Sequence, residues 1–585
     1  MSRCVLRQII AAAVALVVLA GAAECQVLPA ARGNAWPDLE LSGEETTMGS
    51  PYIPMDSWIY PAMSRLAALG YVDTAFAGLR PWTRMNVANM LAETSSRLTD
   101  HVADAKTGGD AADEEATALY LALAREVGRD VDRAADTGRF AQIDQIYSRG
   151  MGIGGTPLRD SFHVGSTIVN DYGRPYASGF NNSTGVAGSG VMGRFSLNFR
   201  GEYQHAPTAD GYSVAVADTL STIDGITPYH PDQDTIPLGP VASVDTFRIM
   251  EADASMHIWG HEVSFGKSDE WMGPAQGGSF GWSDNAENIY SFRINHVDPF
   301  RIPGLSRITG PFRYDFLVGS LKGHTSPNDP WVHAEKVNFK PTRNLELGFE
   351  RTVIWGGKGH VPITIHTFLR SFFSFASPTP QVKASRGDPG ARFGSFDLSY
   401  RLPYLRNWLT FYTDSEVHDD VSPPSAPRRS AFRPGLYLSH FPGLAKLDFR
   451  VEAVSTDPPT ARSVAGSFMY WENQQLQGYT NKGQIFGDWI GREGKGGQAW
   501  MSYHLSATEW VQVAYRNAKV AKDFVPGGTT QNDYTLQVVK RLRPDVELNA
   551  WVQVEGWKAP LVKMGLQRDV TAAGQVTWFL PQFGR

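Results

Sequence analysis

Alternation of apolar and polar residues at a period of two constrains this chain more than any other feature. It is clearest in Val546-Glu547-Leu548-Asn549-Ala550-Trp551-Val552-Gln553-Val554-Glu555, where Val546, Leu548, Ala550, Val552 and Val554 share one face and mostly polar groups the other. Strand side chains point alternately to opposite faces, so one face can meet lipid while the other meets water. The texture runs from about residue 140 to the end. Lys446 to Ala453 sets four charged groups against four apolar ones, and Phe312, Tyr314, Phe316 and Val318 alternate with Arg313 and Asp315. The fold class this predicts is mainly β: a transmembrane antiparallel β-barrel of about 18 to 20 strands, with the region 173–245 least regular. Inward charges of both signs predict a wet lumen.

Connection lengths predict an orientation. Tight connections fall near Pro341-Thr342-Arg343, Pro403 to Arg406, Pro442-Gly443-Leu444, Ser506-Ala507-Thr508 and Arg543-Pro544. Longer ones lie between them, around 356–392, 417–431, 457–467, 519–531 and 557–569. Outer-membrane barrels have short periplasmic turns and long outer loops. With the last strand ending in the periplasm, counting back places 268–286 and 356–392 on the outer side. The final strand, Gln575 to Leu580, is followed by Phe583, close to the C-terminal aromatic that barrel-assembly machinery reads.

The front of the chain reads differently. Arg3 and Arg7 precede an apolar run from Ile9 to Ala20 and the small residues Gly21-Ala22-Ala23, so residues 1–25 read as a signal peptide cleaved after Ala23 or Cys25. Glu24 sits where lipidation of Cys25 would need a small residue. Residues 26–50 read as a linker and 51–138 as a helical module, with the barrel over 139–585. Asp56-Ser57 can cap a helix ending at Leu69 before Gly70, a second begins near Thr83, and a third near Asp113. Cys4 and Cys25 both fall in the leader, so the mature chain has no internal disulfide. A net charge of -6 with dispersed basic residues argues against a nucleic-acid partner.

Three segments stand out: Pro51 to Pro61 with Arg65 to Gly70 and Leu79-Arg80-Pro81-Trp82-Thr83; Gly266-Lys267-Ser268-Asp269-Glu270-Trp271-Met272-Gly273-Pro274 followed by Ser283-Asp284-Asn285-Ala286; and Glu350-Arg351-Thr352-Val353-Ile354-Trp355-Gly356-Gly357-Lys358-Gly359. Together they resemble the Wzi family of capsule-assembly outer-membrane proteins. Met272 stands where a second Trp is often found. The resemblance covers about residues 50–585. It implies an 18-stranded barrel with a periplasmic helical bundle, a non-enzymatic lectin that anchors capsular or other surface polysaccharide.

Candidate polysaccharide contacts are Trp271, Asp284, Asn285, Arg351, Trp355 and Lys358, because an indole face can stack on a sugar while Asn, Asp and Arg bond its hydroxyls. Gly273, Pro274, Gly356 and Gly357 read as loop-shaping. The competing reading is that the aromatic residues also only shape a loop that plugs the barrel.

Other patterns carry less. Gly188 to Gly193 matches G-x-G-x-x-G, but a strand follows where a dinucleotide site needs a helix. Gly260 to Ser268 is one residue too long for a P-loop. His257 and His261 have helical metal spacing but flank a hairpin turn, Trp259-Gly260. Asp414, Glu416, Asp419 and Asp420 read as a solvated acidic loop before a cation site. No paired carboxylates stand out for glycoside hydrolysis. The expectation is no catalytic residue, metal or cofactor, with surface polysaccharide, outer-membrane lipid and barrel-assembly machinery as partners. The alternatives are a porin or polysaccharide-export channel, and a barrel enzyme acting on glycans or lipids.

Overall fold

Eighteen antiparallel strands pair in sequence order, each with the next, and the last returns to the first. In this computed structural model the described residues are 48–104, 111–375, 378–419, 429–458 and 465–580. The strands are β1 (Arg139–Gly154), β2 (Gly179–Met192), β3 (Phe195–Ala206), β4 (Val244–Ile258), β5 (His261–Lys267) and β6 (Tyr290–Phe300). There follow β7 (Phe312–Ser320), β8 (Trp331–Thr342), β9 (Leu345–Trp355), β10 (Ala391–Arg401), β11 (Leu409–His418) and β12 (Ala431–Leu438). The last are β13 (Leu447–Ser455), β14 (Lys495–Ser506), β15 (Glu509–Val520), β16 (Thr529–Arg543), β17 (Val546–Ala559) and β18 (Lys563–Phe579). Closure is on β1, where Tyr147 lies opposite Thr577 of β18 and Gly185 of β2. A closed sheet has no unpaired edge, which lets strands sit in hydrocarbon. No described helix is long and apolar enough to cross a membrane.

Alternation sets the faces as expected. On β17, Val552 and Val554 are exposed while Glu555 and Trp557 are buried in the lumen. Connections of two residues join β2 to β3, β4 to β5, β8 to β9, β14 to β15 and β16 to β17, all at one end of the barrel. The long connections lie at the other end, with one correction: the stretch 557–569 is mostly strand, and only 560–562 link β17 to β18. Gly188 to Met192 is strand followed by strand, and His257 and His261 flank the β4–β5 hairpin.

Three helices precede the barrel: α1 (Ile59–Leu69), α2 (Arg84–Asp104) and α3 (Ala111–Thr137). Gly70 ends α1 at φ 98°, its N–H reaching the Ala67 carbonyl, a left-handed cap that favours glycine. The N-cap of α1 is Trp58, without a side-chain cap, and the Ser57 Oγ beside it accepts from the Ile59 N–H at 3.3 Å. Asp56 has another task, pairing with Arg200 of β3. These helices close the tight-turn end. Arg65 bonds Asp448 at 3.0 Å, the Asp73 carboxylate bonds Arg401 and Arg406, and Glu346 accepts from the Ala77 and Gly78 N–H groups. The leader, the 26–47 part of the linker, Asp420 and Phe583 lie outside the described residues.

Candidate functional site

A barrel of this strand number encloses room for an aqueous channel. Here protein fills it. The β5–β6 connection, residues 268–289, turns down into the lumen instead of standing at its mouth, and nearly all of it is buried. At its deepest point Trp271 pairs backbone with Arg80, ahead of α2, through bonds of 3.1 and 3.2 Å. Asp269 accepts from the Met55 N–H at 2.7 Å. Part of the β13–β14 connection joins it: Trp282 packs on Phe486 at 4.4 Å, and Tyr479 stacks on Phe486 at 3.9 Å. An apolar core of soluble-protein kind therefore sits inside the barrel, including Met272, Phe280, Trp282, Tyr470 and Trp489.

The inward charges of the wall serve this plug, and the wet-lumen expectation is corrected accordingly. Glu452 of β13 accepts from the Gln276 and Gly277 N–H groups at 2.8 and 3.1 Å. Asp414 of β11 accepts from the Phe280 N–H at 2.9 Å and the Ser279 hydroxyl at 3.1 Å. Asp414 and Glu416 are fully buried inward strand residues, not a solvated acidic loop. Backbone N–H groups aimed at Asp414 and Glu452 offset the cost of burying those two acids.

The candidate contacts fall in three places. Trp271 is 5% exposed, its indole N–H bonded to the Ala275 carbonyl and its ring beneath the Arg80 guanidinium. Asp284 and Asn285 are buried in the same plug, and Asn285 donates to the Ile485 carbonyl at 2.8 Å. Burial, with Asp269 and Asp56 near, raises the Asp284 carboxyl well above the carboxylate range.

Arg351 and Trp355 point out of the barrel. Glu350 and Ile354 face the lumen, so the odd-numbered neighbours on β9 face outward, and the 356–390 connection folds back over them. Its helix α5, which follows the short α4 (Val214–Asp224) in the chain, spans Ile365–Phe372. Thr364 and Thr367 cap it reciprocally. Arg351 donates to the carbonyls of Ser371, Phe372 and Ser374, and Trp355 packs on Phe368 at 5.8 Å.

Lys358 alone of the six is open to solvent, 73% exposed, and bonds Asp329 at 2.6 Å. The loop-shaping residues match their geometry. Gly356 and Gly357 have φ of 68° and 121°, and a Cβ on Gly273 would lie 2.5 Å from the Ser279 hydroxyl. Pro274 is buried.

Around Lys358 the long-connection end carries a polar patch. Asp329 holds Lys358 and, at 3.3 Å, Lys322; the Lys358 hydrogen bond lowers the Asp329 pKa. Lys482 bonds Glu287 at 2.8 Å, and its N–H reaches the Lys322 carbonyl. Burial alone would raise Glu287, but Arg248, Lys267 and Lys482 draw it down to about 2. Tyr229, 62% exposed, lies in the β3–β4 connection beside Asp232, whose charge acts on Lys358. Sequence reasoning found only Lys358 here. Asn328-Asp329-Pro330 is a turn signal, but its partners come from four separate connections.

Beneath the patch is a buried ionic latch. His163 of the β1–β2 connection bonds Asp160 through Nδ1 at 2.8 Å and Asp224 of α4 through Nε2 at 2.5 Å. Tyr212 donates to Asp160 and Arg492 to Asp224. Burial alone would lower the His163 pKa, but the two carboxylates raise it to about 9.

The sequence profile of the family "Capsule assembly protein Wzi" matches residues 149–572. The chain belongs to the Wzi capsule-assembly family. A Klebsiella pneumoniae relative, described as an uncharacterized 55.8 kDa protein in the cps region, is 23% identical over 217 residues. That alignment covers 37% of this chain and 42% of the relative, so it spans less than half of that protein. A solved structure of Wzi from Escherichia coli superposes with a TM-score of 0.64 at 16% identity, covering 91% of this chain and all of that one. It is described as an outer-membrane, carbohydrate-binding β-barrel involved in group 1 capsule assembly. At that identity the likeness shows the shared fold. The chain thus has both the sequence profile of the Wzi capsule-assembly family and a matching barrel fold.

Proposed function

We propose that this Wzi-family barrel holds capsular or other surface polysaccharide on the patch around Lys358, with the long connections outside the cell and the helical module in the periplasm. The observation that carries the reading is the filled lumen. A barrel closed by the 268–289 plug and by helices is built to present a surface, and this disfavours the porin or export-channel alternative. The E. coli relative's description as carbohydrate-binding supports the ligand class. In this reading the chain is non-enzymatic. Tyr229 offers a ring to a sugar face while Lys322, Lys358 and Lys482 offer charged donors to hydroxyls or carboxylates. Trp271, Asp284, Asn285, Arg351 and Trp355, packed against protein, shape that surface from below and beside it.

The test is deletion of the gene in a capsulated host with measurement of cell-attached and shed polysaccharide. The expected result is a shift to the shed fraction, restored by the wild-type gene. Unchanged attachment would sink the reading.

A further inference from the structure

The outward faces of β14 to β18 carry a row of basic residues at the long-connection rim. Lys495 lies directly opposite Lys519, Lys519 opposite Thr530, and Thr530 opposite Lys558, so three lysines share one cross-strand row. Arg568 lies opposite Gly556, one pair deeper. Each faces outward: Gln498, Arg516, Glu555 and Asp569 bond inside the barrel, and alternation sends Lys495, Lys519, Lys558 and Arg568 to the other face. All four are exposed.

Like charges directly opposite on neighbouring strands are destabilising. Asp457 offsets Lys495 at 2.6 Å. Among the described residues, the side chains of Lys519, Lys558 and Arg568 have no hydrogen bond or ion pair. The nearby Asp523 is in the β15–β16 connection, its N–H bonded to Glu493. The other end of the same strands is built differently: Lys540 pairs with Glu509 at 2.8 Å and Arg543 with Asp545 at 3.0 Å. The cations are neutralised internally at one rim, whereas at the other three of the four are left open. Below the open row come half-buried Tyr515 and exposed Tyr534, rings 5.0 Å apart and in one cross-strand row with exposed Val554 and Val570, then exposed Val513, Leu536 and Val552. That sequence of levels is an aromatic girdle over an apolar band, with the cations at headgroup height.

The geometry points to a binding surface on β14 to β18 for phosphate-bearing lipid headgroups of the outer leaflet. The occupant is a lipid because the row stands on the lipid-facing wall, directly above apolar side chains that would contact its acyl chains, and its charge complements phosphate. The inference relies on the orientation proposed above but not on polysaccharide capture.

The test uses the full-length barrel in a neutral detergent, with bis-phosphorylated lipid A as the probe and native mass spectrometry as the readout. Each basic residue near an anionic lipid surface contributes on the order of fivefold in affinity, so Lys519→Gln/Lys558→Gln/Arg568→Gln together are expected to weaken binding roughly a hundredfold. The control Lys540→Gln/Arg543→Gln is expected to bind as wild type, and wild-type binding is expected to fall with added salt. Equal binding by the triple variant, equal retention of phosphatidylcholine, or salt-independent binding would each overturn the proposal. Complete competition by millimolar inorganic phosphate would overturn it too, by showing a free-ion site. If the triple variant does not fold into a heat-modifiable barrel, the salt and phosphatidylcholine measurements on wild type decide. Labelling Lys358→Cys on intact cells reads the orientation separately.

Discussion

Lys358 and Trp355 stand three residues apart in one motif, yet the chain turns between them and they finish on different surfaces. Trp355 is sealed under α5 on the outer wall, and Lys358 stands in solvent on the cap. The turn is Gly356-Gly357, both at positive φ; a Cβ on Gly357 would lie 2.8 Å from Pro327. Gly357→Ala is expected to cost about 1–3 kcal/mol locally, seen as faster proteolysis within 356–390 than in wild type. Lys358→Glu together with Lys482→Glu is expected to lower retention of purified capsular polysaccharide severalfold while leaving heat-modifiable migration unchanged. By the same geometry Arg351→Ala acts on loop order before it acts on any ligand, because it takes one donor from each of three carbonyls.

Connections, more than strands, give this barrel its character. The β1–β2 and β3–β4 connections and the β13–β14 connection are tied by Asp160, His163, Asp224 and Arg492. His163 is raised from 6.5 to about 9, so its contribution is fully present below about pH 6.5 and lost as pH rises through about 9. The magnitude is about 3 kcal/mol for a shift of that size. Hydrogen exchange of residues 155–178 and 214–224 is expected to accelerate between pH 8 and 10 beyond the chemical rate, and His163→Gln is expected to abolish that step. A pH-independent protection factor in wild type would contradict the latch.

For the whole molecule, the plug and the helices close what the strand number opens. Wild-type protein in planar bilayers is expected to show no large stable conductance. Replacing 269–288 with a short Gly/Ser linker removes the segment that spans from β5 and β6 to Glu452 and Asp414, and is expected to give open channels. The replacement is also expected to lower the unfolding temperature, since it strips those buried wall acids of their backbone N–H donors.

The sequence alone determined the barrel, its strand faces and the alternation of short and long connections, because a period of two and turn chemistry are local properties written within a few residues of each other. The three motifs further marked the family. Only the tertiary structure decided that 268–289 descends into the lumen, that Arg351 and Trp355 face away from it, and that Asp414 and Glu416 are buried. Those outcomes depend on partners far along the chain, Arg80 for Trp271 and Phe280 for Asp414, and periodicity holds no record of which connection fills a cavity. The polar patch was hidden for the same reason: Asp232, Lys322, Lys358 and Lys482 come from four connections that meet only when the barrel closes.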